Sequence, residues 1–142
     1  MGDDVPTVYA WAGGRDAFDR LTEEFYRRVR DDDVLAALFA DMPAEHPQHV
    51  ATWLAEVFGG PADYSAHHGG YPHMLAKHLG LSITERQRVR WAHLICEAAD
   101  AAGLPDDPEF RSAFVAYVEW GTRLAKSNSH PGASPPPAAP VP

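Results

Sequence analysis

Apolar residues recur along this chain at intervals of three and four, the spacing of one helix face, and no stretch sustains a period of two. The clearest stripe is Phe18, Leu21, Phe25 and Val29, which predicts a helix over residues 16–30 behind the breaker Gly13-Gly14. Residues 7–11 leave room for one helical turn ahead of it. Asp31-Asp32-Asp33 interrupts the stripe, and the apolar run Val34-Leu35-Ala36-Ala37-Leu38-Phe39 predicts a short helix with Phe39 buried. Pro47 suits a first helical turn, where a missing N–H loses no partner. From there Val50, Trp53, Leu54, Val57 and Phe58 carry a helix to Gly59-Gly60-Pro61.

Residues 62–71, with Gly69-Gly70, read as a loop. Residues 72–81 then predict a short helix opened by Pro72 and closed by Gly80, with Met74, Leu75, Leu79 and Leu81 as its apolar surface and His78 at its C-terminal edge. Ser82-Ile83-Thr84-Glu85 fits the capping-box pattern and starts a long helix. Its inward face is Trp91, Leu94, Ile95, Ala98, Ala99 and Ala102, which leaves Arg86, Arg88 and Arg90 mostly on the solvent side. Gly103-Leu104-Pro105 ends it. The last helix opens at Asp106-Asp107-Pro108-Glu109 and buries Phe110, Phe114, Tyr117, Val118, Gly121 and Leu124. The pattern predicts an all-α domain over residues 1–126. Residues 127–142, mostly Ser, Pro, Gly and Ala, predict a disordered tail in which Pro135-Pro136-Pro137 favours a polyproline segment.

Composition narrows the function classes. At 142 residues the chain can bury a sizeable core as one domain. Twelve Lys and Arg against 20 Asp and Glu give a net charge of -8, which argues against a nucleic-acid footprint. The acidic start Met1-Gly2-Asp3-Asp4 has no apolar run of the secretory kind, and no run of about 18 apolar residues is present to span a membrane. A cytoplasmic protein is expected. Cys96 stands alone, so neither an internal disulfide nor a thiolate cluster is open to it.

The candidate chemistry lies in a few side chains. A neutral imidazole at His78, backed by soft apolar residues, suits an axial ligand to haem iron. Tyr26 falls one position off its stripe, so its hydroxyl can face a cavity or bond a backbone carbonyl. Trp91 points inward, and its indole N–H needs either a bound polar ligand or a carbonyl. His46 and His49, three apart, share a helix face. They fall short of a zinc site, since the His-Glu-x-x-His pattern is absent and no carboxylate has the spacing to complete one. Nor do the eight histidines offer a 2-His-1-carboxylate spacing for a non-haem metal enzyme.

Taken in order, Gly13-Gly14, Phe25-Tyr26, Val34-Leu35 leading to Phe39, Trp53-Leu54 before Gly59-Gly60-Pro61, Tyr64-Ser65, Lys77-His78 and Glu85-Arg86 ahead of Trp91 resemble the truncated haemoglobins, most closely their second group. The resemblance runs from about residue 10 to residue 125. It implies a compact globin-like two-on-two helical sandwich around haem b, with His78 as the proximal iron ligand and Tyr26, His46 and Trp91 facing the gas-binding side. Phe39 matches an aromatic position against the haem that is often tyrosine in this group, and here the hydroxyl is missing. His49, Tyr64 and Lys77 match positions that meet the haem propionates. Val50, Trp53, Leu54, Met74 and Leu81, with Phe39, are expected around the haem's apolar face. The implied function is reversible binding of oxygen and other diatomic gases, nitric oxide and carbon monoxide among them. Redox turnover of nitric oxide or peroxide with an unidentified electron donor stands as an extension, in a monomer or a homodimer. The competing reading is a haem-free helical interaction module in which Trp53, Trp91 and Trp120 are core and the proline-rich tail docks a partner.

Overall fold

The computed structural model describes residues 5–132, and among them every regular element is helical. In chain order these are α1 Val8–Ala12, α2 Arg15–Arg30, α3 His46–Val57, α4 Asp63–His67, α5 Gly70–Ala76, α6 Glu85–Ala101 and α7 Pro108–Asn128. Helix α2 lies against both α3 and α6, and α6 lies against α7. This is the two-on-two arrangement.

The predicted stripe of α2 is what buries it: Phe18, Leu21 and Phe25 are wholly inaccessible and Val29 nearly so. Arg27, Arg28 and Arg30 crowd its last turn, where cations face the negative end of the helix dipole. Helix α1 is pinned to the end of α3 by the Tyr9 N–H, which donates to Phe58 O at 2.8 Å. That approach needs glycine at 60, because a Cβ there would stand 2.6 Å from Tyr9 Cδ1 and 2.8 Å from the Ala55 carbonyl oxygen. Asp107 caps α7 by accepting from Glu109 N–H at 2.9 Å.

Several expectations are corrected. Residues 33–41 form successive turns rather than a helix, because most of their backbone bonds close over three residues, such as Leu38 N–H to Leu35 O and Met42 N–H to Phe39 O. Asp32 anchors this corner: one carboxylate oxygen accepts from the Val34 and Leu35 N–H groups at 3.0 Å each, and the other pairs with Arg90 of α6. Phe39 is half-buried, not buried. The expected loop over 62–71 contains α4 and the first turn of α5. Helix α5 ends at Ala76, so Gly80, at φ +80°, closes a following turn and His78 stands just beyond the helix. Leu79, expected on the apolar surface, is 62% exposed.

The long helix is capped two residues later than expected, at Thr84 rather than Ser82. Thr84 Oγ1 accepts from Gln87 N–H while the Gln87 side chain accepts from Thr84 N–H, and Glu85 is left free to pair with Arg88 and Lys126. Arg88, expected in solvent, is only 6% exposed. Glu85 and the Thr122 hydroxyl both take bonds from its guanidinium, which is what makes burial of the charge tolerable. The domain also runs past residue 126: α7 continues to Asn128, and Asn128 and Ser129 are 4% and 1% exposed. Residues 127–132 therefore leave the predicted tail. Its remainder, with Pro135-Pro136-Pro137, lies outside the described residues.

Candidate functional site

The elements enclose one large, mostly apolar cavity of about 210 Å³, and every site residue expected from the sequence lines it. Helix α2 contributes Tyr26 and the following corner Phe39, while α3 contributes His46, His49, Val50, Trp53 and Leu54 from its inward face. Tyr64 comes from α4, Met74 from α5, Lys77, His78 and Leu81 from the segment after α5, and Trp91 from α6. The site thus gathers side chains from along most of the chain.

His78 is tied down through one ring nitrogen. Its Nδ1 lies 2.9 Å from the Met74 carbonyl oxygen, and since a carbonyl can only accept, Nδ1 carries the proton. Burial holds the imidazole below its ordinary pKa, against the opposing effect of that hydrogen bond. A neutral ring protonated at Nδ1 keeps its lone pair on Nε2, the form a metal needs.

Another wall is an aromatic set. The Tyr26 ring meets Phe25, Phe39 and His46 edge to face, with centroids 4.8, 5.8 and 5.5 Å away. Phe25 in turn sits 4.8 Å from Trp91. Among the described residues burial alone acts on the Tyr26 phenol, with no hydrogen bond to it, and Trp53 rather than Trp91 is the tryptophan whose indole N–H finds a protein acceptor, so neither of the carbonyl partners considered from sequence is used. Burial pushes the Tyr26 phenol well above its usual range, so it stays a donor. His46 falls to about 4, chiefly through burial and further through the nearby charges of Lys77, His49 and His78. It is neutral at physiological pH.

Nearer the surface, the His49 and His68 rings stand 4.3 Å apart, and Tyr64 packs beside His68 and His73. Burial, then the charge of His68, keep the His49 pKa low. Sequence reasoning missed the contribution of α7: Phe114, Tyr117, Val118 and Gly121 complete the floor of the cavity. Their stripe was legible as core, but periodicity does not distinguish core from cavity wall. It also missed Ile83, Gln87 and Arg88: the stripe of α6 continues back through position 88, but an arginine there reads as a solvent residue, and Ile83 and Gln87 read as parts of the helix start.

These residues fit haem. An apolar slot, an imidazole with its free lone pair on Nε2, donors without protein partners, and a Lys and His set for carboxylates make up the donor chemistry of a haem pocket.

Comparison with known proteins agrees. Residues 7–119 match the bacterial-like globin family. The chain is 30% identical over 123 residues to the group 2 truncated hemoglobin YjbI of Bacillus subtilis, covering 87% of this chain and 90% of the relative. Its fold superposes on the hemoglobin of Chloroflexus aurantiacus with a TM-score of 0.75 at 31% identity, over 85% of this chain and 98% of that one. The group II truncated hemoglobin of Bacillus anthracis shares the fold with a TM-score of 0.78 at 24% identity, over 91% and 98% of the two chains. This chain belongs to the bacterial-like globins, and within them to the truncated haemoglobins of the second group. It is a haem b protein, and its function is haem-based binding of oxygen. The haem-free interaction module is set aside. No helix of the described residues is long and apolar enough to cross a membrane.

Proposed function

We propose that His78 is the protein ligand of the haem iron and that Tyr26, Trp91 and His46 hold the gas on the opposite side, in a pocket built for retention or turnover rather than rapid delivery. The observation that carries this is the pairing of His78 Nδ1 with the Met74 carbonyl, which leaves Nε2 free on a side chain that lines the cavity. Haem iron, when bound, supplies the place for a diatomic ligand and the electrons that give that ligand partial negative charge. The residues on the other wall respond to that charge. Tyr26 O–H and Trp91 N–H are donors with no competing protein partner among the described residues, and neutral His46 adds a third. Two such bonds at about 1.5 kcal/mol each slow escape roughly a hundredfold.

The same donors stabilise charge that develops on peroxide or during oxidation of nitric oxide, and Phe39 adds no hydroxyl to theirs. We place redox turnover, fed by an electron donor in the cytoplasm, as the extension of this reading. His49, Tyr64 and Lys77 hold the haem carboxylates at the mouth. Phe39, Val50, Trp53, Leu54, Met74 and Leu81 exclude water from its apolar face.

His78→Ala tests the assignment through the ferrous spectrum. Loss of the pigment or a changed spectrum is expected; retention with an unaltered spectrum removes His78 from the iron. Oxygen release and nitric oxide consumption, measured on one reduced sample, then separate retention from turnover.

A further inference from the structure

The segment between α5 and α6 carries His78 and little structure of its own. Two of its residues hold positive φ, Gly80 at +80° and Ser82 at +50°, and Ser82 is the only non-glycine residue to do so among the described ones. Its first residues lean back on α5, through Lys77 N–H to His73 O at 3.2 Å, His78 N–H to Leu75 O at 3.0 Å and Leu79 N–H to Ala76 O at 3.2 Å, and beyond them only Leu81 N–H to His78 O at 3.3 Å closes within the segment. Something else must hold it in place.

Three consecutive residues at the end of α7 do so. Asn128 Nδ2 donates to the Leu75 carbonyl at 2.8 Å. The Ser129 carbonyl accepts from Ser82 N–H at 3.2 Å, and its hydroxyl oxygen accepts from Ile83 N–H at 2.9 Å. His130 Nε2 lies 2.9 Å from the Ile83 carbonyl, to which it donates. Four bonds therefore land on Leu75, Ser82 and Ile83, on either side of His78. Burying polar side chains such as Asn128 and Ser129 is costly unless they are bonded, and here their bonds go to the two ends of one segment. The Leu75 carbonyl is one peptide from the Met74 carbonyl that orients the His78 ring.

We infer that residues 128–130 form a clasp whose role is to position His78, fixing the tilt of its imidazole and with it the iron–histidine bond and the retention of haem. Asn128, Ser129 and His130 are positioning residues, since none of them lines the cavity. The inference rests on the assignment of His78 to the iron. A looser segment lets the ring rotate about its tether to Met74, and the bond it makes weakens or becomes heterogeneous.

Resonance Raman spectra of the ferrous, ligand-free holoprotein test this, with the iron–histidine band identified as the one that His78→Ala abolishes. Asn128→Ala and Ser129→Ala should each shift or broaden that band and speed haem transfer to apomyoglobin about tenfold, the factor carried by one buried hydrogen bond. Ser127→Ala, at an exposed neighbour, should change neither. If Asn128→Ala yields no folded protein, Ser129→Ala is read alone, because it removes one oxygen and little volume. Variants that fold with the wild-type band and transfer rate overturn the clasp, and so does a lowered melting temperature with an unmoved band. A wild-type spectrum without any band that depends on His78 sinks the ligand assignment instead, so the two failures are distinct.

Discussion

The indole N–H of Trp53 donates to the phenol oxygen of Tyr117 across 2.7 Å, joining α3 to α7 through the wall of the cavity. Both side chains are 8% exposed, so either partner left alone is left nearly dry. Burial raises the Tyr117 phenol pKa against the lowering effect of this bond, so the hydroxyl is neutral and accepts as drawn. Tyr117→Phe should cost about 1–3 kcal/mol, because it strands a buried N–H. A double-mutant cycle with Trp53→Phe, followed by urea unfolding, should return a coupling of about 1 kcal/mol. Strict additivity would mean the pair is a contact without energetic weight.

Tyr26→Phe and Trp91→Phe should each raise the oxygen dissociation rate about tenfold, the effect of removing one donor to a charged acceptor. Stopped-flow release from the reduced protein measures it. Unchanged rates in both variants would take these residues out of ligand retention, since neither has a partner among the described residues to compensate.

The His46 imidazole, at about 4 in the fold, titrates near 6.5 when the chain is unfolded. Between those values the unfolded chain binds the extra proton, so stability is complete above about pH 6.5 and declines as pH falls toward about 4. His49 and His78 are lowered too and act with the same sign. Urea midpoints taken through that window should fall with pH in the wild type and fall less steeply in His46→Gln. Parallel profiles would show that His46 is as free to ionise in the fold as outside it.

Asp32 caps the corner that carries Phe39 and pairs with the residue next to Trp91. Asp32→Ala should therefore destabilise by about 1–2 kcal/mol, the range for a lost side-chain cap. Asp32→Asn should cost less, because an amide oxygen still accepts from the Val34 and Leu35 N–H groups. If the two cost the same, the ion pair to Arg90 carries the effect and the cap does not.

The four long helices were legible because burial imposes its period on the residues themselves: Phe18, Leu21, Phe25 and Val29 need no tertiary information to be read as one face. The cavity-lining set was legible only in part by that route. Spacing placed Tyr26 and Trp91 near the core, and resemblance to a family turned them toward a ligand. What stayed hidden is what side chains decide across long separations. Asp32 caps Val34 and Leu35 while it is tied to Arg90 of α6, and the run that follows closes mostly over three residues, so an apolar stretch that looks helical is a series of turns. The cap pairs Thr84 with Gln87 rather than Ser82 with Glu85, which frees Glu85 to hold Arg88 as it reaches a hydroxyl on α7. Asn128 and Ser129 look like the start of a solvated tail because their burial depends on carbonyls and amides some fifty residues earlier. Polar residues carry little periodic signal.

Helix α5 has seven residues, and its main packing against another helix is on α4, which has five. Segments that short do not persist in water by themselves. The prosthetic group is then the keystone of this corner of the molecule, not a passenger in it. Strip it out, and proteases should cut between residues 70 and 83 while the long helices are still intact.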